Sequence, residues 1–185
     1  MKLITERLSI KKHSNYTTIV ITPIKNFWTS LLLGSWLGMW IMIGLAVVCS
    51  FFIFELSNQE QIILFVFLSF WLYYSIKIGY TFLWIHYGKE LIKLDENGIN
   101  YKRSIFKYGK MHTIFYENVI AINSHIPKVN SFEFVWESSP WISGGERITI
   151  ETKLNTVKIG RKLSQNEVYP LVDLLKSHIK KNLKG

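Results

Sequence analysis

The sequence predicts an α+β membrane protein in which a two-helix transmembrane hairpin is joined to a cytoplasmic antiparallel β domain. Three observations predict this class: two long apolar runs lie close together, short β-branched segments separated by turn residues follow them, and an amphipathic segment comes last. The predicted organisation is a β-hairpin segment over 1–26, the helical hairpin over 27–86 and the β domain over 87–185.

The first apolar run, 27–54, has 28 residues and no charged side chain. A helix needs about 20 residues to cross a hydrocarbon core of ~30 Å, so this run can span it with some tilt. It is too long, and begins too far into the chain, for a cleaved signal peptide. The second run, 62–86, has 25 residues and one charge, Lys77. With the polar residues 55–61 between them, the two runs predict a helical hairpin.

The distribution of charge predicts the orientation of this hairpin. Lys and Arg outnumber Asp and Glu by five to one over 1–26 and by 16 to ten over 88–185, whereas the connector has two Glu and no basic residue. Basic residues are retained on the cytoplasmic side. Both termini of this multi-pass chain are therefore expected in the cytoplasm.

The soluble segments are rich in predicted strands. Before the helices, 8–11 and 17–22 predict a hairpin, which is marginal alone and is expected to dock on the C-terminal domain. After the helices, Asn97-Gly98 is a strong hairpin signal. The predicted strands there are 90–94, 99–106, 111–116, 119–124, 132–136, 147–154 and 156–161. Such a row of short antiparallel strands is typical of a small barrel or sandwich.

The final segment predicts a helix that closes the β domain. Ser164 and Glu167 have the spacing of a capping box, and apolar residues follow at helical spacing. Pro170 lies deep enough in the pattern to predict a separate or kinked first turn.

Three stretches carry a resemblance to a known family: FWTSLLLGSWLGMW (27–40), LWIHYGKELIKLDENGI (83–99) and KIGRKLSQNEV (158–168). They resemble a poorly characterised bacterial family with two transmembrane helices and a cytoplasmic pleckstrin-homology-like domain. The resemblance implies a pleckstrin-homology-like fold for 87–185 and a location in the bacterial inner membrane. Residues 126–146 are longer than the strand connection usual in that family, which makes this loop a candidate for a function particular to this chain.

Small and charged residues in the apolar runs are the first candidate site. Ser30, Gly34 and Gly38 recur every four residues and predict a stripe for close helix packing, either with the second helix or with another protein. Lys77 is expected about one turn inside the cytoplasmic boundary, where it can extend to the lipid headgroups. An ion pathway is the alternative interpretation of Lys77, but neither run offers an acidic partner.

The β domain offers two further sets of candidates. Trp136 and Trp141 are candidate partner contacts, since aromatic residues are favoured at interface hot spots, although the alternation of Phe132, Phe134 and Trp136 also fits a strand facing the core. Trp141 is the better candidate for an exposed anchor. A basic hairpin supplies candidate contacts for anionic lipid headgroups: Lys102, Arg103, Lys107 and Lys110.

Several classes of function lack their usual residues. The single cysteine, Cys49, lies in the first apolar run, and the five histidines are scattered, so no catalytic framework, metal cluster or pair of haem ligands is predicted. No cofactor is expected, and nucleic-acid binding lacks a motif.

The leading hypothesis is a non-enzymatic accessory or scaffold subunit of an inner-membrane protein complex, which binds partners through its helices and its β domain. A lipid- or peptide-binding membrane module is an alternative. A membrane immunity protein also fits the size and topology.

Overall fold

The computed structural model describes residues 2–3, 5–128, 130–139, 141–142 and 144–182. It has two compact units, a helical unit formed by Lys25–His86 and a β unit formed by Met1–Ile24 together with Tyr87–Gly185. The N-terminal segment therefore belongs to the same unit as the C-terminal half of the chain.

Two helices, α1 (Phe27–Ile53) and α2 (Asn58–Tyr87), are long and apolar enough to cross a membrane. The Asn26 side chain caps α1 by accepting a hydrogen bond from the Trp28 N–H at 3.0 Å. α2 begins before the apolar run does, because Ser57 and Glu60 form a capping box in which the Glu60 carboxylate accepts from the Ser57 N–H at 2.8 Å. Only residues 54–57 are left to connect the helices.

Trp40 and Trp71 join the two helices by exchanging hydrogen bonds. The Trp71 indole N–H donates to the Trp40 carbonyl oxygen at 2.8 Å, and the Trp40 indole N–H donates to the Trp71 carbonyl oxygen at 3.3 Å. Gly44 lies one turn beyond Trp40, and a Cβ there would be 1.9 Å from the Trp71 ring. The absence of a side chain at Gly44 thus allows the indole to lie against the α1 backbone.

The larger sheet of the β unit has six antiparallel strands in sequence order: β1 (Lys2–Leu3), β2 (Leu8–Lys12), β3 (Thr17–Ile21), β4 (Gly88–Leu94), β5 (Gly98–Ile105) and β6 (Met111–Phe115). β3 pairs with β4, so that Thr17 lies opposite Leu94 and Ile21 lies opposite Glu90. The expected docking of the N-terminal hairpin is confirmed. The chain leaves the sheet at Ile21, forms both long helices and returns as the neighbouring strand.

A second sheet and a helix complete the β unit. Its strands, in the order β7-β8-β9, are β7 (Val119–Ser124), β8 (Glu146–Thr152) and β9 (Thr156–Arg161). The amphipathic helix α4 (Gln165–Asn182) buries Val168, Leu171 and Leu175 completely in a core shared by both sheets. The capping box of α4 is confirmed, since the Glu167 carboxylate accepts from the Ser164 N–H at 2.8 Å. α4 continues through Pro170, so its first turn is not separate, and the alternative of a kink at Pro170 stays a prediction. These elements confirm the α+β class.

The predicted strand over 132–136 is wrong. Phe132–Ser138 forms a short helix, α3, because the Ser131 side chain caps it by accepting from the Phe134 N–H at 3.2 Å. Helical spacing moves Phe132, Val135 and Trp136 onto one face, where they are 78%, 64% and 56% exposed. Phe132 and Trp136, which the alternation predicted to face the core, instead form an outward apolar ridge with Val135.

Gly44→Leu is expected to destabilise the helical hairpin, whereas Gly38→Leu is expected to leave it unchanged. A side chain at position 44 would overlap the Trp71 ring and break the exchanged hydrogen bonds, while a Cβ at Gly38 meets no atom within 4 Å. Overpacking costs about 1–3 kcal/mol. Thermal unfolding of both variants in detergent, followed by tryptophan near-UV circular dichroism, measures the difference, and equal midpoints would contradict the predicted role of Gly44.

Candidate functional site

The predicted small-residue stripe of α1 divides between two environments. A Cβ at Gly34 would be 3.2 Å from the Phe82 ring, so Gly34 lies against α2. Gly38 has open space around it, and Ser30 is half-buried. Gly44, which makes a closer approach to α2, lies off the four-residue repeat, and its spacing gave no signal. The open side of Gly38 is available for a lateral contact.

Lys77 lies on an exposed part of α2 beside Tyr73. Its ammonium nitrogen is 3.3 Å from the Tyr73 hydroxyl oxygen and 5.4 Å from the centre of the Tyr73 ring. Among the described residues no carboxylate lies within 4 Å of it. Lys77 thus has a cation–π contact and a hydrogen bond with Tyr73, and its extension to the headgroups stays a prediction.

The four basic residues predicted to face lipid do not form one patch. Arg103 points into the β unit, where its guanidinium donates to a Glu146 carboxylate oxygen at 2.9 Å and to the Lys158 carbonyl oxygen at 2.8 Å. Lys102 donates to the Lys107 carbonyl oxygen at 2.9 Å. Lys107 and Lys110 are exposed. Arg103 is therefore held by partners within the β unit, whereas the three lysines surround the turn between β5 and β6.

This turn has an unusual backbone for its residues. Ile105 and Tyr108 exchange two backbone hydrogen bonds of 2.9 Å, which leaves Phe106 and Lys107 as the two central residues, with φ of 50° and 73°. Such a turn favours Asn-Gly, because each side chain in the left-handed region costs about 1–2 kcal/mol. Phe106 stacks on Tyr87 at 4.1 Å, and Tyr108 is 84% exposed. The turn thus presents aromatic and basic side chains from a strained backbone.

A buried carboxylate links the two sheets at the end where this turn lies. Glu90 on β4 is 1% exposed and accepts a hydrogen bond from the Gly160 N–H of β9 at 2.7 Å. Burial raises the pKa of Glu90, although the nearby Arg103 charge favours the ionised form. Its other carboxylate oxygen is 3.6 Å from the Arg103 Nε. Sequence reasoning missed this residue, because a charged residue in a predicted strand gives no sign of burial.

A second charged group joins the N-terminal segment to α4. Glu167 is 3% exposed; it accepts a hydrogen bond from the Thr5 hydroxyl at 2.6 Å and lies 3.7 Å from the Arg7 guanidinium. Arg7 also donates to the carbonyl oxygens of Thr22 and Lys162, at 3.0 and 2.8 Å. Burial alone would raise the pKa of Glu167, but the hydrogen bonds from Thr5 and Ser164 and the charge of Arg7 outweigh it, so this pKa is lowered.

The two candidate tryptophans lie in the segment between β7 and β8. Trp136 is 56% exposed and stacks on Phe132 at 5.8 Å, and Trp141 is 37% exposed. Trp136 is thus the more exposed of the two, in contrast to the expectation that favoured Trp141.

An open groove runs between β7 and α4. Residues 119–123 form one side, and Lys176, Ile179 and Lys180 form the other. Among the described strands β7 pairs only with β8, so its outer edge has no strand partner. A bulge between Val119 and Ala121 projects Ile120, which is 66% exposed. No pattern in the sequence indicated this groove beyond the predicted strand and helix that form it.

Comparison with protein-family models and with curated proteins finds no match to this chain. Among the described residues, no three His, Cys, Asp or Glu side chains are grouped closely enough to hold a metal ion. The groove, the β5–β6 turn and the α3 ridge are the surfaces that we consider further as candidate sites.

Glu167→Gln is expected to lower the stability of the protein at pH 7 by about 1–3 kcal/mol, since it removes a hydrogen-bonded buried charge. A carboxyl whose pKa is lowered on folding stabilises the fold above its unfolded value, near 4.5, and this contribution disappears as the pH falls through the folded-state pKa. The difference from the wild type should therefore shrink below about pH 4. Urea unfolding in detergent at pH 7 and at acidic pH measures it. A difference that does not change with pH would contradict the predicted role of the charge.

Proposed function

We propose that this protein is a non-enzymatic accessory or scaffold subunit of a protein complex in the bacterial inner membrane. In this proposal α1 and α2 span the bilayer, and the β unit, with a pleckstrin-homology-like arrangement of strands and closing helix, docks a partner in the cytoplasm. The observation that carries the proposal is that two long apolar helices lie between β3 and β4 in the chain, although β3 and β4 are neighbours in one sheet.

The exposure of the helices supports insertion into a membrane. In each helix only 6% of the most apolar 18-residue window is buried. The core helix of a soluble protein would bury most of such a window, since apolar surface left in water costs about 25 cal/mol per Å². A bilayer supplies the apolar surroundings that the protein itself does not.

The sheet topology supports the proposed orientation. β3 precedes the helices and β4 follows them, yet the two strands pair over five residues, so both must lie on the same side of a membrane. The excess of Lys and Arg in the two segments that form the β unit favours the cytoplasmic side. The proposal therefore has both termini in the cytoplasm.

The β7–α4 groove is the best-supported docking surface for a protein partner. An unpaired strand edge can accept an extended segment of another chain as an added strand, and Ile120 and Ile179 provide apolar contacts beside it. Lys176 and Lys180 favour acidic side chains in that segment. The proposed occupant is therefore an extended, acidic cytoplasmic segment of a membrane-complex subunit.

Ile120→Asp is expected to weaken partner binding, because it places a charge at the apolar centre of the groove and repels an acidic segment. A hot-spot change of about 2 kcal/mol corresponds to roughly 30-fold weaker binding. The test is a pull-down of full-length protein from native membranes in mild detergent, combined with a photo-crosslinking residue at position 120. Leu154→Asp is the control, since Leu154 is 87% exposed and lies outside the groove.

Two results would count against this function. A wild-type protein that elutes alone, with no crosslink from position 120, would contradict the accessory-subunit proposal. A partner that crosslinks and binds equally to the Ile120→Asp and Leu154→Asp variants would move its docking surface away from the groove.

A further inference from the structure

The end of the β unit from which the chain passes into the helices has its own chemistry. β3 ends at Ile21, with five residues between it and α1, and β4 begins at Gly88, directly after α2. Gly88 lies opposite Ile105, so the β5–β6 turn over residues 106–110 is at this same end of the sheet. We call this turn, together with α3 (132–138), the helix-side rim.

Side-chain hydrogen bonds place α3 on the same rim. The Lys162 ammonium donates to the carbonyl oxygen of Ser139, the residue that follows α3, at 2.9 Å. Arg7 donates to the Lys162 carbonyl oxygen at 2.8 Å and to the Thr22 carbonyl oxygen at 3.0 Å. The end of α3 is thus connected through two side chains to the residue that follows β3.

The rim presents aromatic and basic groups and few free negative charges. Tyr108 and Phe106 are 84% and 50% exposed, beside the exposed Lys107 and Lys110. The ridge of α3 adds three exposed apolar side chains: Phe132, Val135 and Trp136.

Both glutamates of α3 have partners within the β unit. Glu137 forms an ion pair with Arg147, and Glu133 accepts a hydrogen bond from His125 at 2.8 Å. The Glu137 charge is therefore compensated by a guanidinium, and the Glu133 carboxylate has a hydrogen-bond partner at the edge of the ridge.

We propose that the helix-side rim lies in the headgroup layer of the bilayer and binds anionic phospholipid. Lys107 and Lys110 contact the phosphates, and the aromatic side chains of the turn and of α3 occupy the interface, where amphipathic rings are favoured. The inference rests on the proposed membrane insertion of α1 and α2. A bilayer is favoured over a protein partner because the chain enters and leaves the proposed membrane helices at this rim.

The strained turn gives an independent reason to assign a role to its side chains. Phe106 and Lys107 hold positive φ values where Asn-Gly would fit without strain. The residues present are thus poorly suited to the backbone and well suited to an interface of apolar and anionic groups.

The test uses full-length protein in lipid nanodiscs, with an environment-sensitive fluorophore on a single cysteine. Labels are placed by Tyr108→Cys and Val135→Cys on the rim, and by Leu154→Cys as the control, each in a Cys49→Ser background. Leu154 is as exposed as Tyr108 but lies in the β8–β9 turn, outside the rim. Quenching by lipids that carry a nitroxide near the headgroup reports contact with the bilayer.

Strong quenching at positions 108 and 135, with little at 154, is expected in nanodiscs that contain phosphatidylglycerol. Each lysine near an anionic surface favours contact roughly fivefold, so Lys107→Glu with Lys110→Glu should lower the ratio of bound to free rim on the order of 25-fold or more. Pure phosphatidylcholine should weaken quenching in the wild type and remove the difference between it and the charge-reversed protein.

A label on the native Cys49 separates this inference from the proposed function. Cys49 is exposed in α1, so quenching there by lipids with a nitroxide on the acyl chain reports insertion of the helices. Quenching at Cys49 without quenching at 108 and 135 would overturn the rim inference and leave the membrane anchor intact. No quenching at Cys49 would overturn both.

The double variant Phe106→Asn/Lys107→Gly distinguishes loss of lipid binding from loss of folding. Relief of the positive φ strain should raise the midpoint of thermal unfolding, while loss of the aromatic and basic side chains should reduce quenching at position 135. A variant that is more stable and equally quenched would contradict a role for the turn in lipid binding.

Discussion

The pairing of β3 with β4 is the constraint on which the rest of the β unit depends. Ile19 and Ile92 face each other across this pair and are completely buried, although the whole helical unit lies between them in the chain. Closing a long flexible loop costs chain entropy that grows only slowly with length, but here two helices must form and return the chain to the sheet. The first three strands therefore have an unpaired apolar edge until β4 is made. Completion of the sheet depends on correct placement of both helices.

Buried charges fix the second sheet and α4 around that pairing. Glu90 lies opposite Ile21 at the helix end of β4 and receives the Gly160 N–H of β9, while Arg103 bridges from β5 to Glu146 of β8. Removing one partner from such a group leaves an uncompensated buried charge, which strongly destabilises the fold. A shift in the register of β4 would therefore disturb both sheets at once, so these contacts specify one arrangement of the strands.

The predictable parts of this structure are those that local pattern determines. The lengths of the two apolar runs predicted both long helices, and Asn97-Gly98 predicted the β4–β5 turn. The spacing of Ser164 and Glu167 predicted the start of α4. The failure at 132–136 had a local cause as well, because an N-capping serine outweighed the alternation of aromatic residues. Glu90, Gly44 and Ile120 owe their roles to contacts between distant segments or to a bulge, and single-sequence periodicity does not register either. The same limit applies to Arg103, whose charge suggested lipid contact and whose partners lie inside the β unit.

The exchanged hydrogen bonds of Trp40 and Trp71 bear on the rigidity of the helical hairpin. If α1 and α2 separated within hydrocarbon, two indole N–H groups would lose their acceptors without water to replace them. Scissoring or sliding of one helix past the other is thus disfavoured, and the hairpin should respond to its surroundings as one rigid rod.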